Sequence, residues 1–148
     1  MLTSAPYCFC SSLDRPVINV NRPPDEVPIY IPRNVVARLQ PHQLSGVQHM
    51  WDTVVEDLEH FKANPNGGSG CILAHAMGLG KTLQIILFLN AFYRHTSAKK
   101  SIVVAPVNTL INWQREFVKW LPVDRRPVEN QETTSYPESA REHLIRHP

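Results

Sequence analysis

Nine residues, Ala74-His75-Ala76-Met77-Gly78-Leu79-Gly80-Lys81-Thr82, constrain this chain more than any other stretch. A short apolar run, Cys71-Ile72-Leu73, precedes them, and an apolar helical pattern from Leu83 to Tyr93 follows. Strand, glycine-bearing turn, Lys-Thr and helix is the order a phosphate-binding loop requires. Gly78 and Gly80 lack a Cβ, so the backbone there is free to take positive φ and bring successive N–H groups close to an anion. A helix starting near Lys81 aims its unpaired first-turn N–H groups at the same point, with a dipole equivalent to about half a positive charge. The Lys81 ammonium then suits the β- and γ-phosphates of a nucleotide, and the Thr82 hydroxyl suits Mg²⁺.

The generic pattern G-x-x-x-x-G-K-[ST] asks for glycine at position 75, where this chain carries His75. Only the second half, Gly80-Lys81-Thr82, is intact. An ordinary strand–turn–helix with Lys-Thr at its helix start would satisfy that remnant equally. The flanking strand and helix patterns are what favour the phosphate site.

A length of 148 residues suits about one domain. With 43% hydrophobic and 19% charged residues the chain has the means to bury a core, which excludes general disorder. A net charge of +2 is too small to announce a nucleic-acid partner. The longest apolar run, Ile85-Ile86-Leu87-Phe88-Leu89, falls far short of the ~20 residues a membrane span needs. The stretch Met1 to Cys10 lacks the basic head and apolar core of a secretory signal. Cys8, Cys10 and Cys71 are an odd set without a second ligand pair at zinc spacing, which favours reduced thiols.

Prolines at 6, 16, 23, 24, 28 and 32 make residues 1–33 an extended leader, with Val17–Val20 and Ile29–Ile31 as candidate short edge strands. Asn34 to Leu39 fits one helical turn before Pro41. Leu44, Val47, Met50, Trp51, Val54, Leu58 and Phe61 then recur at three- and four-residue steps, predicting one amphipathic helix over about 42–62. Asn64 to Gly70 is a turn-rich linker. Ser101 to Ala105 is a β-branched run of buried-strand length closed by Pro106. Asn108 or Thr109 is placed to cap a following helix with Leu110, Ile111, Trp113, Phe117, Val118 and Trp120 on its apolar face. Pro122 to Thr134 reads as a loop, and Ser135-x-x-Glu138 as a capping box opening a helix from Glu138 to His147.

Met77-Gly78-Leu79-Gly80-Lys81-Thr82 resembles motif I of the Snf2 family of DNA-dependent ATPases, within helicase superfamily 2. Most members carry Asp-Glu where this chain has His75-Ala76, and a histidine there resembles the ATRX-like branch. Val17 to Pro24, Gly70 to His75, Arg94-His95-Thr96, Val107 to Leu110, Asn112-Trp113 and Trp120-Leu121-Pro122 carry the likeness further.

The resemblance implies ATP and Mg²⁺ as cofactors, bound by His75, Ala76, Met77, Gly78, Leu79, Gly80, Lys81 and Thr82. Lys81 becomes the catalytic lysine and Thr82 the Mg²⁺ ligand. Gln43, upstream of motif I, becomes the adenine reader; its amide offers a donor and an acceptor side by side, as the adenine edge requires. A helix-start glutamine bonded locally is the plain alternative. Strand, Pro106 and capped helix resemble motif Ia, which makes Asn108 and Thr109 candidate contacts to a DNA backbone; an ordinary βα unit has the same pattern. The implied whole is a nuclear, ATP-driven motor on double-stranded DNA that remodels chromatin, with nuclear receptors as a further partner class and no membrane association.

The expected fold is α/β: a partial RecA-like P-loop lobe over 34–148, with parallel strands and flanking helices, preceded by the 1–33 leader. The family's acidic pair, Asp-Glu-x-His at the end of a later strand, does not occur in the sequence; Glu142-His143 sits in a polar segment. The expectation is therefore an N-terminal piece, truncated before the Walker B motif and hydrolytically inactive alone. Two alternatives are a non-catalytic decoy that binds a partner, and a small P-loop kinase or GTPase. The second needs an apolar strand ending in Asp, or Asp-x-x-Gly, and has neither.

Overall fold

A computed structural model of the chain describes residues 15–64, 69–98 and 100–121. These residues form five α-helices, α1 (Arg33–Val36), α2 (Pro41–Val54), α3 (Leu58–Ala63), α4 (Lys81–His95) and α5 (Leu110–Trp120), with a 3₁₀ turn at Val107–Thr109. The linker core at 65–68, the loop from Pro122, the Ser135-x-x-Glu138 capping box and the helix to His147 lie outside the described residues. So do Cys8 and Cys10.

α2 opens with Pro41 in its first turn, where a missing N–H costs nothing. The Gln40 N–H donates to Gln43 Oε1 at 3.0 Å, one half of a capping box between these two glutamines. The single helix expected over 42–62 is in fact two. Helix α2 stops at Val54, and Glu56 takes a left-handed φ of 64°. The N–H groups of Val55 and Glu56 both donate to Trp51 O. Asp57 then caps α3, its Oδ1 accepting from His60 N at 2.6 Å. The apolar period runs through this break, and Asp57 is the local signal that overrides it.

The core is made by α2, α4 and the leader. Val47, Met50 and Trp51 of α2 meet Leu83, Leu87 and Ala91 of α4, with Val35 of α1 and Val55 alongside. Phe88 and Phe92 stack at 5.6 Å, with Trp51 and Phe61 edge-on to them. Residues 15–31 form no helix, pass through turns near 20–21 and 24–25, and send Ile18, Ile29 and Ile31 into this same cluster. An antiparallel bridge joins Val17 to Tyr30, and Ile18 N donates to Ile29 O at 2.7 Å.

Buried Asn19 ties the leader together. Its Oδ1 accepts from Ile29 N, and its Nδ2 donates to Val27 O and to Glu26 Oε1. The other Glu26 oxygen accepts from Leu58 N at 2.7 Å, placing a carboxylate on the first turn of α3.

The expected parallel strands are the main departure. Residues 71–76 and 100–106 are extended, yet neither has a ladder partner among the described residues. Ile72, Ile102 and Val104 are 84%, 89% and 92% exposed, while Leu73, Val103 and Ala105 are half-buried. Successive side chains of an extended chain alternate in direction, so each run covers one side only. α5 forms where expected, but no residue of it is buried. Its capping also differs. Asn108 sits inside the 3₁₀ turn, and Thr109, at the N-cap position, has near-helical φ and ψ of −103° and −10°. That geometry turns the Thr109 hydroxyl back, and it donates to Pro106 O at 2.7 Å instead of capping the helix.

Candidate functional site

The phosphate-loop sequence forms the link between the 71–76 run and α4. Gly78 and Gly80 take φ of 84° and 73°, and Gly80 is the left-handed N-cap of α4. At both positions a side chain would be strained. A Cβ on Gly80 would also collide with the Gln43 amide nitrogen.

The Lys81 ammonium folds back over the loop, donating to His75 O at 2.8 Å and Ala76 O at 3.0 Å. Two of its three protons are thus held by neutral carbonyls, partners that a phosphate oxygen outcompetes through charge. Above the loop lies an open hollow of about 350 Å³, bounded by Met77, Gly78, Lys81 and Thr82 on one side and by Asn112 and Glu116 of α5 on the other. Met77 is 95% exposed at its rim. The Glu116 carboxylate is engaged by the Trp120 indole N–H and by Lys119 at 3.2 Å. No group of three His, Cys, Asp or Glu side chains fit to hold a metal occurs among the described residues.

Leu79 O is the anchor of the loop. His42 Nε2 lies 3.2 Å from it, Gln43 Nε2 3.4 Å and Gln84 Nε2 3.2 Å. The two helices flanking the loop therefore hold the same carbonyl, α2 through His42 and Gln43 and α4 through Gln84. Gln43 is occupied at both ends, its Oε1 taking the Gln40 N–H and its Nε2 reaching the loop.

Gln43, His75 and the run from Ala76 to Thr82 come together in one place. Asn108 and Thr109 stand apart from the hollow, and the Thr109 hydroxyl is already spent. Sequence reasoning missed His42, Gly46 and Gln84. Spacing held the signal: 42, 43 and 46 share one face of a helix, and Gln84 is one turn beyond Gly80.

The SNF2-related domain profile matches residues 42–144. The chain belongs to the SNF2-related family. It is 42% identical over 135 residues to Helicase ARIP4 of Homo sapiens, covering 90% of this chain and 9% of that protein. It is 44% identical over 113 residues to the Transcriptional regulator ATRX of Mus musculus, covering 75% of this chain and 4% of that one. Protein CHROMATIN REMODELING 20 of Arabidopsis thaliana is 40% identical over 114 residues. The matches place the chain in the ATRX-like branch, and it spans less than a tenth of the length of these curated relatives. SNF2-related domains are RecA-like in general; the described residues of this chain are helical, with two unpaired extended runs and no parallel sheet.

Proposed function

We propose that this chain supplies the ATP-binding segment of a Snf2-family, ATP-dependent DNA translocase. The observation that carries the reading is the Lys81 ammonium held on loop carbonyls beside two positive-φ glycines at the start of α4. A glycine loop, a helix N-terminus and a lysine in one stretch are a combination that suits a triphosphate. Thr82, half-buried at the hollow, is the Mg²⁺ ligand, and bound Mg²⁺ neutralises charge on the phosphates. Gln43 exchanges its contact to Leu79 O for the adenine edge, and the remaining loop residues from His75 to Leu79 line the phosphates.

Hydrolysis needs an acidic partner for Mg²⁺ and water, which the 148 residues do not supply in the family's Asp-Glu-x-His form. The chain alone is therefore a binder with negligible turnover. Double-stranded DNA and chromatin are partners of the whole protein, whose site of action is the nucleus. The names of the relatives, a helicase, a transcriptional regulator and a chromatin-remodelling protein, support this. Nuclear receptors stay as a partner class on the same footing. Asn108 and Thr109 remain DNA-backbone contacts in this reading through their backbone groups and the exposed Asn108 amide.

Equilibrium dialysis with labelled ATP and Mg²⁺ tests the reading. Lys81→Ala should weaken binding by about tenfold or more, the loss of a charge-assisted contact. Equal affinity for both chains would overturn it. ATP turnover stimulated by duplex DNA and abolished by Lys81→Ala would overturn the binding-only assignment.

A further inference from the structure

Beneath the phosphate loop lie two buried polar atoms without a partner among the described residues, His75 Nδ1 and Gln84 Oε1. Gln84 is fully buried, an uncommon place for an amide unless it is doubly bonded. Its Nε2 end is used, donating to Leu79 O. Its Oε1 end faces buried Gly46 of α2. A Cβ on Gly46 would overlap Gln84 Oε1 and sit 3.2 Å from His75 Cε1. The amide oxygen and the imidazole therefore share the one place on α2 where a side chain is missing. The His42 ring stands edge-on to His75 at 5.9 Å, and its Nε2 meets Leu79 O. Because a carbonyl only accepts, that contact requires a proton on His42 Nε2.

We propose that His75, Gln84 and His42 are positioning residues that set the Leu79 carbonyl, and with it the phosphate loop, from behind. His75, as the Nδ1–H tautomer, donates toward Gln84 Oε1 past the bare face of Gly46 through one bridging water, since the two atoms are not bonded directly. That bridge fixes which way the Gln84 amide points, so its N–H₂ end meets Leu79 O. His42 holds the same oxygen from α2. The carbonyl stays anchored when Gln43 leaves it, which frees Gln43 for another partner without releasing the loop. The histidine at position 75 has a structural use here that a carboxylate could not copy, since an ionised acid has no proton to give the bridging water.

This inference rests on the ATP-binding reading for its consequence, but not for its geometry, and two readouts separate them. The first is the His75 ring tautomer in the whole chain, from ¹H–¹⁵N long-range NMR correlations. The Nδ1–H form is expected, shifting toward Nε2–H in Gln84→Met, which keeps the side-chain length and removes the acceptor. The second is binding of Mg²⁺ and labelled ATP, expected to weaken about tenfold in Gln84→Met, the scale of a lost buried hydrogen bond. Gly46→Ala should do the same, and its effect should largely vanish in a chain that already carries Gln84→Ala, because the clash is gone.

An Nε2–H tautomer for His75 in the wild type would overturn the proposal. So would unchanged ATP affinity in a folded Gln84→Met chain that binds ATP through Lys81. If the wild type binds ATP no better than Lys81→Ala, the ATP reading fails. The His75 tautomer and the Gly46–Gln84 coupling measured by thermal unfolding then decide the relay by themselves.

Discussion

Residues 15–95 and residues 100–121 carry similar apolar patterns and put them to different use. The first region holds every buried hydrophobic residue of the described chain, from Ile18 to Ala91. In the second, α5 has the sharper division into apolar and polar faces, yet none of its side chains is buried. Half-buried Trp120 packs against the core from the end of α5, and polar contacts gather around it: its indole donates to Glu116, Lys119 lies over its ring at 4.5 Å, and Asn34 Nδ2 of α1 donates to its carbonyl at 2.9 Å. Amphipathic pattern states which face a helix can bury, while burial needs a second surface. The leader, α2 and α4 provide surfaces for one another. Ile102 and Val104 stay almost wholly exposed among the described residues, and Ile111 and Val118 more than half exposed.

The largest expected effect sets the two regions directly against each other. Trp51→Ala opens a cavity at the centre of the α2–α4 contact and should cost about 3–5 kcal/mol, enough to unfold a small domain. Ile102→Ala, by contrast, should change stability by no more than about 0.5 kcal/mol. Urea unfolding of the two variants checks this, and comparable losses would erase the distinction. Next in size is Asn19→Ala, expected to cost about 1–3 kcal/mol by stranding the Ile29 N–H and the Glu26 carboxylate. The same titration would show whether the leader belongs to the core or merely lies on it.

Glu56→Gly sharpens the account of the α2–α3 break. Relief of the left-handed strain and loss of chain stiffness oppose each other, leaving a net gain of up to about 1 kcal/mol in the same unfolding assay. A loss instead would mean that the Glu56 side chain contributes contacts of its own.

The smallest effect is one of pH. Partial burial, with Arg94 adding repulsion and Glu26 opposing weakly, holds the His95 pKa below its usual value of 6.5. Folding then disfavours the proton. The contribution of His95 is fully present above its unfolded pKa of about 6.5 and is lost as pH falls toward the lower folded value. Much of His95 faces water, so the dip should be shallow. Melting curves between pH 7.5 and 5.5 should converge for wild type and His95→Gln if this residue does not take part.

The helices and the glycine turn at 78–80 are legible because their signals are local. Gly78, Gly80 and Lys81 announce their backbone in the residues themselves, and α4 and α5 follow from apolar spacing. Period alone hid the break at Glu56, since Leu58 and Phe61 continue the step of Trp51 and Val54; only the cap at Asp57 reveals it. β-branched runs predict strands, but pairing is a relation between distant segments, and a run such as Ile102-Val103-Val104 names no partner. Thr109 has the residue type of a cap, but φ and ψ decide where its hydroxyl goes, and here they send it to Pro106 O. The roles of His42, Gly46 and Gln84 depend on two helices meeting around Leu79 O, a contact that no single window of sequence contains.

Amide hydrogen exchange with and without Mg²⁺ and ATP tests the central claim most directly: a core of leader, α2 and α4 pre-forms the loop proposed to bind nucleotide, while the 101–118 stretch adds no buried residue to that core. Slow exchange through α2 and α4, fast exchange over 101–118, and nucleotide-dependent protection centred on 77–84 that Lys81→Ala removes are the predicted results. Equal protection of both regions, or nucleotide-dependent protection that ignores Lys81, would contradict it.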